Sequence, residues 1–239
     1  MVVDGVLVID KPVGPTSHDI VMKIKKKLSA KKVGHLGTLD PIASGVLPLV
    51  INRATKYAET LQQGVKEYDT LLKLGVVTDT YDAEGKVVEE HPIEGITEED
   101  IIKVIEGFRG RLKQLPPMYS AVKVGGVPLY RLARKGIVVE REPKEVEIYS
   151  IKVVKIELPF VRFLVECSRG TYMRTLCHDI GQRLGCGGHL YGLTRTRSGL
   201  FTIEQAVSPE LSAEELAAHI IPLEKVLEDA DSSRKVQGF

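Results

Sequence analysis

Among the residues of this chain able to do chemistry, Asp40 has the most unusual setting. It lies in Gly34-His35-Leu36-Gly37-Thr38-Leu39-Asp40-Pro41-Ile42-Ala43-Ser44-Gly45, directly before a proline. A residue ahead of proline is pushed out of the α region, so this carboxylate hangs from a backbone of restricted freedom. Glycines on either side let another chain or a ligand come close. The loop joins apolar elements and carries an imidazole and a carboxylate five residues apart, groups able to move protons or, for the carboxylate, to act as a nucleophile. Loops on rigid scaffolds are where chemistry usually sits. By spacing alone, an Asp near Pro and Gly more often caps its own loop, and both readings stand at this point.

A second stretch, Ser168-Arg169-Gly170-Thr171-Tyr172-Met173-Arg174, marks a strand ending and a helix beginning, with Tyr172 and Arg174 in the first turn. A cation is disfavoured there by the helix dipole, which calls for a specific anionic partner of Arg174. Asp40 is a candidate for a buried pair; a surface position or a pair with Asp179 are the alternatives. A third stretch, Lys66-Glu67-Tyr68-Asp69-Thr70, heads a long strand. Tyr68 is able to stack on a planar ligand, although most strand tyrosines simply pack. Cys177, His178, Cys186 and His189 lie close in sequence, but their spacing fits no standard zinc pattern, and free buried cysteines are the better reading. There is no phosphate-loop lysine motif, no dinucleotide fingerprint and no serine-nucleophile context, so no cofactor or metal is expected.

The elements that must position these residues follow from periodicity. Residues 5–9 read as a buried strand and 46–51 as a short apolar one. Ser17 looks like an N-cap, followed at helical spacing by Ile20, Val21, Ile24 and Leu28. Helices are expected at 54–62, 98–107 (capped by Thr97), 129–135, 171–184 and 213–218. Strands are expected at 67–77, 145–157, 160–168 and 189–203. Residues 109–128 have no regular period and read as a long basic loop, a length that is usually functional or disordered. Strands and helices mix without βαβ alternation, which predicts an α+β fold with a mixed, largely antiparallel sheet flanked by helices.

At 239 residues the chain is long enough to bury a core without disulfides or metals. No apolar run approaches a membrane span. The start, Met-Val-Val-Asp, carries no basic leader. With three cysteines, the expectation is a reducing, cytoplasmic home. Net charge is +1, but residues 107–136 hold seven basic side chains and no acid, and Lys23 to Lys32 holds six lysines and no acid. Ten acids gather between Asp79 and Glu106, and eight between Glu204 and Asp231. A basic face is the footprint of a nucleic-acid binder; separate solvated helix faces are the alternative.

These motifs together carry a family resemblance. Leu7-Val-Ile-Asp-Lys11-Pro-Val-Gly14, the Asp40 loop, Lys66-Glu-Tyr68, Gln114-Leu-Pro-Pro-Met-Tyr-Ser-Ala-Val-Lys123, Arg169-Gly-Thr-Tyr172-Met-Arg174 and Gly188 to Gly199 resemble, in order, the motifs of the TruB family of tRNA pseudouridine synthases. The resemblance implies that family's catalytic fold with a basic thumb-like insertion at about 109–136. It implies an isomerase that detaches uracil of the tRNA T loop (position 55) from its ribose and rejoins it through carbon 5, with no external cofactor or metal. Asp40 matches the nucleophile and Arg174 the arginine that pairs with it. Tyr68 matches the tyrosine that stacks on the base. Tyr172 and Leu193 match pocket-lining positions, His35 a contact to the flipped nucleotide and Lys11 a support of the catalytic loop. The implied partner is the T-arm stem-loop of tRNA, gripped by the basic insertion, with Arg195 and Arg197 extending that surface; neither membrane nor small-molecule cofactor is implied, and a monomer is expected. The expected division is a catalytic domain over 1–210 and an acidic tail, or the start of a C-terminal RNA-binding domain, over 211–239. An RNA-binding or RNA-folding protein and a nuclease or glycosidase are the rival functions. A glycosidase normally needs two carboxylates, and no clear second one accompanies the motif.

Overall fold

A computed structural model describes the backbone of residues 4–237 and the side chains as far as Ser232. In chain order the elements are β1 (Gly5–Lys11), α1 (Ser17–Lys27), β2 (Val33–His35), β3 (Ala43–Ile51), α2 (Ala58–Leu61), β4 (Lys66–Leu74), β5 (Val76–Thr78), β6 (Val87–Glu90), α3 (Glu98–Glu106) and β7 (Gly110–Gln114). There follow β8 (Lys123–Val124), β9 (Val127–Pro128), α4 (Leu129–Ala133), β10 (Lys144–Glu157), β11 (Phe160–Cys167), α5 (Met173–Leu184), β12 (Gly188–Ser198), β13 (Phe201–Thr202), α6 (Ala213–Ala218), β14 (Ile221–Pro222) and α7 (Leu223–Gln237). The mixture of helices with a largely antiparallel sheet is the α+β class that the pattern predicts.

The chain forms two compact units, 1–68 with 194–239, and 69–193. In the first, strands run in the order β14-β1-β3-β12, with β2 also against β3 and β13 against β12. The β1–β3 ladder pairs Gly5 with Ile51 through to Lys11 with Gly45. Its continuous apolar run buries Val6 and Val8 with Leu36, Val46, Val50, Phe201, Leu223 and Val226. In the second unit the order is β12-β4-β11-β10-β7. There α3 packs on β10 and on α5, burying Ile101, Ile105, Leu176 and Ile180.

Several local expectations change. The N-cap of α1 is Thr16, whose side chain accepts from the Asp19 N–H while Asp19 reaches back, a full capping box; Ser17 is buried instead. Residues 54–62 form a 3₁₀ turn at Asn52–Tyr57 and then only the short α2. The long strand expected at 67–77 breaks at Gly75 into β4 and β5. The stretch read as a long basic loop begins as β7, paired with β10, and contains the β8–β9 hairpin. Tyr172 is the N-cap residue of α5 rather than part of its first turn. The acidic tail is structured: Gly5 pairs with Pro222 of β14, and Val226 and Ala230 of α7 enter the core.

Candidate active site

The Asp40 loop belongs to the first unit and is anchored from several sides. Ser17 Oγ donates to the Leu39 carbonyl at 2.9 Å and accepts from the Leu39 N–H at 2.8 Å. Those two bonds fix the residue immediately before Asp40. Beyond it, the Ala43 N–H donates to the Asp40 carbonyl at 3.0 Å, closing a turn. Lys11, fully buried, donates from Nζ to the carbonyls of Pro12 and Pro15, each at 2.8 Å. The turn it braces returns the favour through the Gly14 N–H, which donates to Pro41 O at 2.9 Å. Lys11 thus supports the loop through backbone dipoles, and Asp40 itself is left half-buried.

Arg195 reaches the same loop from β12. It is only 2% exposed. Its Nε donates to Val46 O at 2.8 Å, and its terminal nitrogens donate to Gly37 O at 3.1 Å and Thr38 O at 3.4 Å. Burial lowers its pKa, and a hydrogen bond with the Tyr68 side chain works against that shift. Gly45 lets the Arg195 backbone come this close. A Cβ on Gly45, at φ +98°, would lie 2.3 Å from the Arg195 carbonyl oxygen, while one on Gly37, at φ +91°, would sit in ordinary contact with its guanidinium at 3.6 Å. The expectation that Arg195 extends an RNA-gripping surface is therefore wrong: its charge is spent inward on carbonyls. Arg197 is half-exposed and pairs with Glu67 at 3.1 Å. Lys66, at the head of β4, is buried and donates to Ser198 Oγ at 2.7 Å. His35, on β2, is held neutral: burial, then the nearby charges of Arg195 and His18, lower its pKa. Its Nδ1 is buried without a hydrogen-bond partner among the described residues.

Tyr172, Arg174 and Leu193 fall in the second unit. Arg174 is buried near the start of α5, and the carboxylate of Asp82 lies 3.7 Å from its Nε, both side chains less than a tenth exposed. Arg174 also donates to Tyr119 O at 2.6 Å and to Thr80 O at 3.4 Å. Asp82 is held in turn by the Thr80 hydroxyl at 2.6 Å and the Glu84 N–H at 3.1 Å. The Asp179 alternative is not what forms, since the cation that faces Asp179 is Arg183. The Tyr172 backbone is gripped at both polar groups by buried Gln114: its N–H donates to Oε1 at 2.8 Å and its carbonyl accepts from Nε2 at 3.0 Å. The first residues of the insertion are thereby tied to the start of α5. Leu193 is half-buried at the end of this unit's share of β12.

Asp82, Gln114, Ser17 and the inward role of Arg195 are what sequence reading missed. Asp82 stands in an acidic stretch that reads as turn, and nothing in its spacing marks it out from its neighbours. The cysteine–histidine group disperses: His178 stacks on Tyr81 at 3.9 Å, His189 Nδ1 lies 2.8 Å from Val76 O, and Cys177 and Cys186 are buried thiols outside any disulfide.

Comparison with known proteins bears on this geometry. The TruB family pseudouridylate synthase N-terminal domain matches residues 25–173. The tRNA pseudouridylate synthase B C-terminal domain matches residues 174–228. The tRNA pseudouridine synthase B of Clostridium acetobutylicum is 49% identical over 229 residues, covering 95% of this chain and 79% of that protein. That of Opitutus terrae is 45% identical over 224 residues, covering 92% and 93%. Among solved structures, a chain in a Cbf5–Nop10–Gar1 complex is similar with a TM-score of 0.73 and 35% identity, over 95% of this chain and 62% of that one. A chain of an H/ACA particle bound to a substrate RNA containing 2′-deoxyuridine is similar with a TM-score of 0.70 and 32% identity, over 94% and 61%.

Proposed function

This chain belongs to the TruB family of pseudouridylate synthases, an isomerase family, and from that premise we propose that it converts uridine 55 in the T loop of tRNA to pseudouridine. In this reading the target base is flipped out of its stack, at a cost of a few kcal/mol. The N1–C1′ bond breaks, the uracil turns, and C5 bonds to C1′; the C5 proton leaves and N1 gains one. The atoms balance within the substrate, with no redox equivalent required. Asp40 is the nucleophile, attacking ribose C1′ or the base, which splits one hard step into two easier ones. Arg174 supplies the positive charge that keeps the nucleophile ionised. Tyr68 stacks on the uracil, Tyr172 and Leu193 line its pocket, and the neutral His35, with a vacant Nδ1, meets the flipped nucleotide.

The observation that carries this reading is the anchoring of the Asp40 loop. Ser17, Lys11 (through its turn) and Arg195 all secure the backbone around a carboxylate that stays half-buried. A loop capping only itself needs none of these. The enzyme's partner is the T arm, gripped by the basic insertion through phosphates and shape. It acts as a monomer in the cytoplasm. Carbodiimide mapping of an unmodified tRNA transcript after incubation tests the substrate assignment. One new pseudouridine, at position 55, is the expected result. Modification elsewhere, or none with tight binding retained, would move the function to another RNA or to RNA binding alone.

A further inference from the structure

We propose that Arg195 is a positioning residue for the reaction, setting the Asp40 loop and the Tyr68 side chain in register with one guanidinium. The inference rests on the reading of Asp40 and Tyr68 given above. Its basis is geometric. Arg195 is almost wholly buried. An arginine so placed stays charged and has five donors in a fixed planar fork. Three of its directions are used on backbone: Val46 O at the start of the apolar part of β3, and Gly37 O and Thr38 O, three and two residues before Asp40. The Tyr68 side chain is a further hydrogen-bond partner. These partners are neutral oxygens, and a buried charge solvated only by dipoles is costly to keep. A core filled for stability alone would have an apolar side chain here. At Gly45 a Cβ would lie 2.3 Å from the Arg195 carbonyl oxygen, so the backbone that carries this group is held close against β3.

The fork matters as much as the charge. A lysine would carry the same charge on a single nitrogen, and one nitrogen cannot reach the loop carbonyls and Tyr68 together. Arg195→Lys should therefore bind tRNA almost as the wild type does and melt cooperatively. Its single-turnover rate of tritium release from C5-tritiated tRNA should fall about 100-fold, the scale of a reacting group misplaced by about 1 Å. In Arg195→Ala, guanidinium ion at tens of millimolar should restore part of the lost rate, while urea at equal concentration should not. Combined with Tyr68→Phe, the lysine change should cost much less than it does alone, because the two act as a unit.

A lysine variant that turns over at the wild-type rate would overturn the proposal. So would loss of rate in step with loss of the cooperative melt and of tRNA binding, because Arg195 would then be only a core residue. Absence of rescue by guanidinium in a folded alanine variant would overturn it as well. Asp40→Asn in the same assay separates the two levels. If that variant keeps its rate, the reading of Asp40 fails whatever Arg195 does; if it is inactive while Arg195→Lys is unimpaired, only the positioning role fails.

Discussion

Ser17 shows how much of the site depends on residues that do no chemistry themselves. Its hydroxyl both donates to and accepts from the Leu39 backbone. Replacing it with alanine leaves two buried backbone groups unpaired, at about 1–3 kcal/mol. Ser17→Ala should lower the melting temperature and slow turnover more than it weakens tRNA binding, measured by melting and single-turnover kinetics. Asp82 is the corresponding case beside Arg174. Taking one anion out of the buried set around Arg174 unbalances the charges that remain, and breaking a buried pair costs about 3 kcal/mol or more. Asp82→Asn should thus lose both stability and activity, and a stable, active variant would refute the pairing. The residues proposed to do the chemistry stand out in the sequence because their types and chain order are distinctive: an Asp before Pro between glycines, and an Arg-Gly-Thr-Tyr-Met-Arg run. Apart from Lys11, their supports do not. Ser17 looks like a helix cap, and Arg195 looks like an RNA contact. Both act on backbone groups, which leave no mark on the partner's side chains.

At the scale of elements, α5 carries the site residue Arg174 near its start and an unfavourable group further on. Burial pushes the Asp179 carboxyl up to about 6, with Arg183 opposing the shift. The folded state then binds this proton more tightly than the unfolded chain does, so its contribution to stability falls as pH rises from about 4 to 6 and stays lost above. A rise of this size corresponds to about 3 kcal/mol, which partial exposure to water reduces to about 1 kcal/mol. Asp179→Asn should raise the melting temperature by about 2–4 °C at pH 7.5 and by about a third as much at pH 4.5. A fall at pH 7.5 would mean that the charge is needed. His35, His178 and His189 titrate with the opposite sign, since burial lowers each of them; comparing variant with wild type cancels their share. Most elements were readable from periodicity, among them α3 with its Thr97 cap and the β10–β11 hairpin. β7 was not, because Leu112 is its one large apolar residue, too little to show an alternation. In the sheet Arg111 and Lys113 lie opposite Glu147 and Glu145 of β10, so part of the basic run is matched across strands.

Over the whole chain the segregated charges turn out to be partly internal. Lys23 pairs with Glu210, and Lys27 donates to the carbonyls of Pro209, Glu210 and Leu211. The lysine-rich helix α1 therefore holds the segment leading into the acidic region, a pairing invisible to charge counted along the sequence. That region was read as a tail because its apolar positions, Leu223, Val226 and Ala230, are thinly spread among acids. Family membership rests on the whole chain, whereas the account of the chemistry rests on one carboxylate. Its most direct test is tritium release from C5-tritiated tRNA by the wild type and by Asp40→Asn, with tRNA affinity measured alongside. The account predicts release by the wild type alone, with affinity changed little. Release by Asp40→Asn at a comparable rate, or loss of its tRNA binding together with activity, would contradict it.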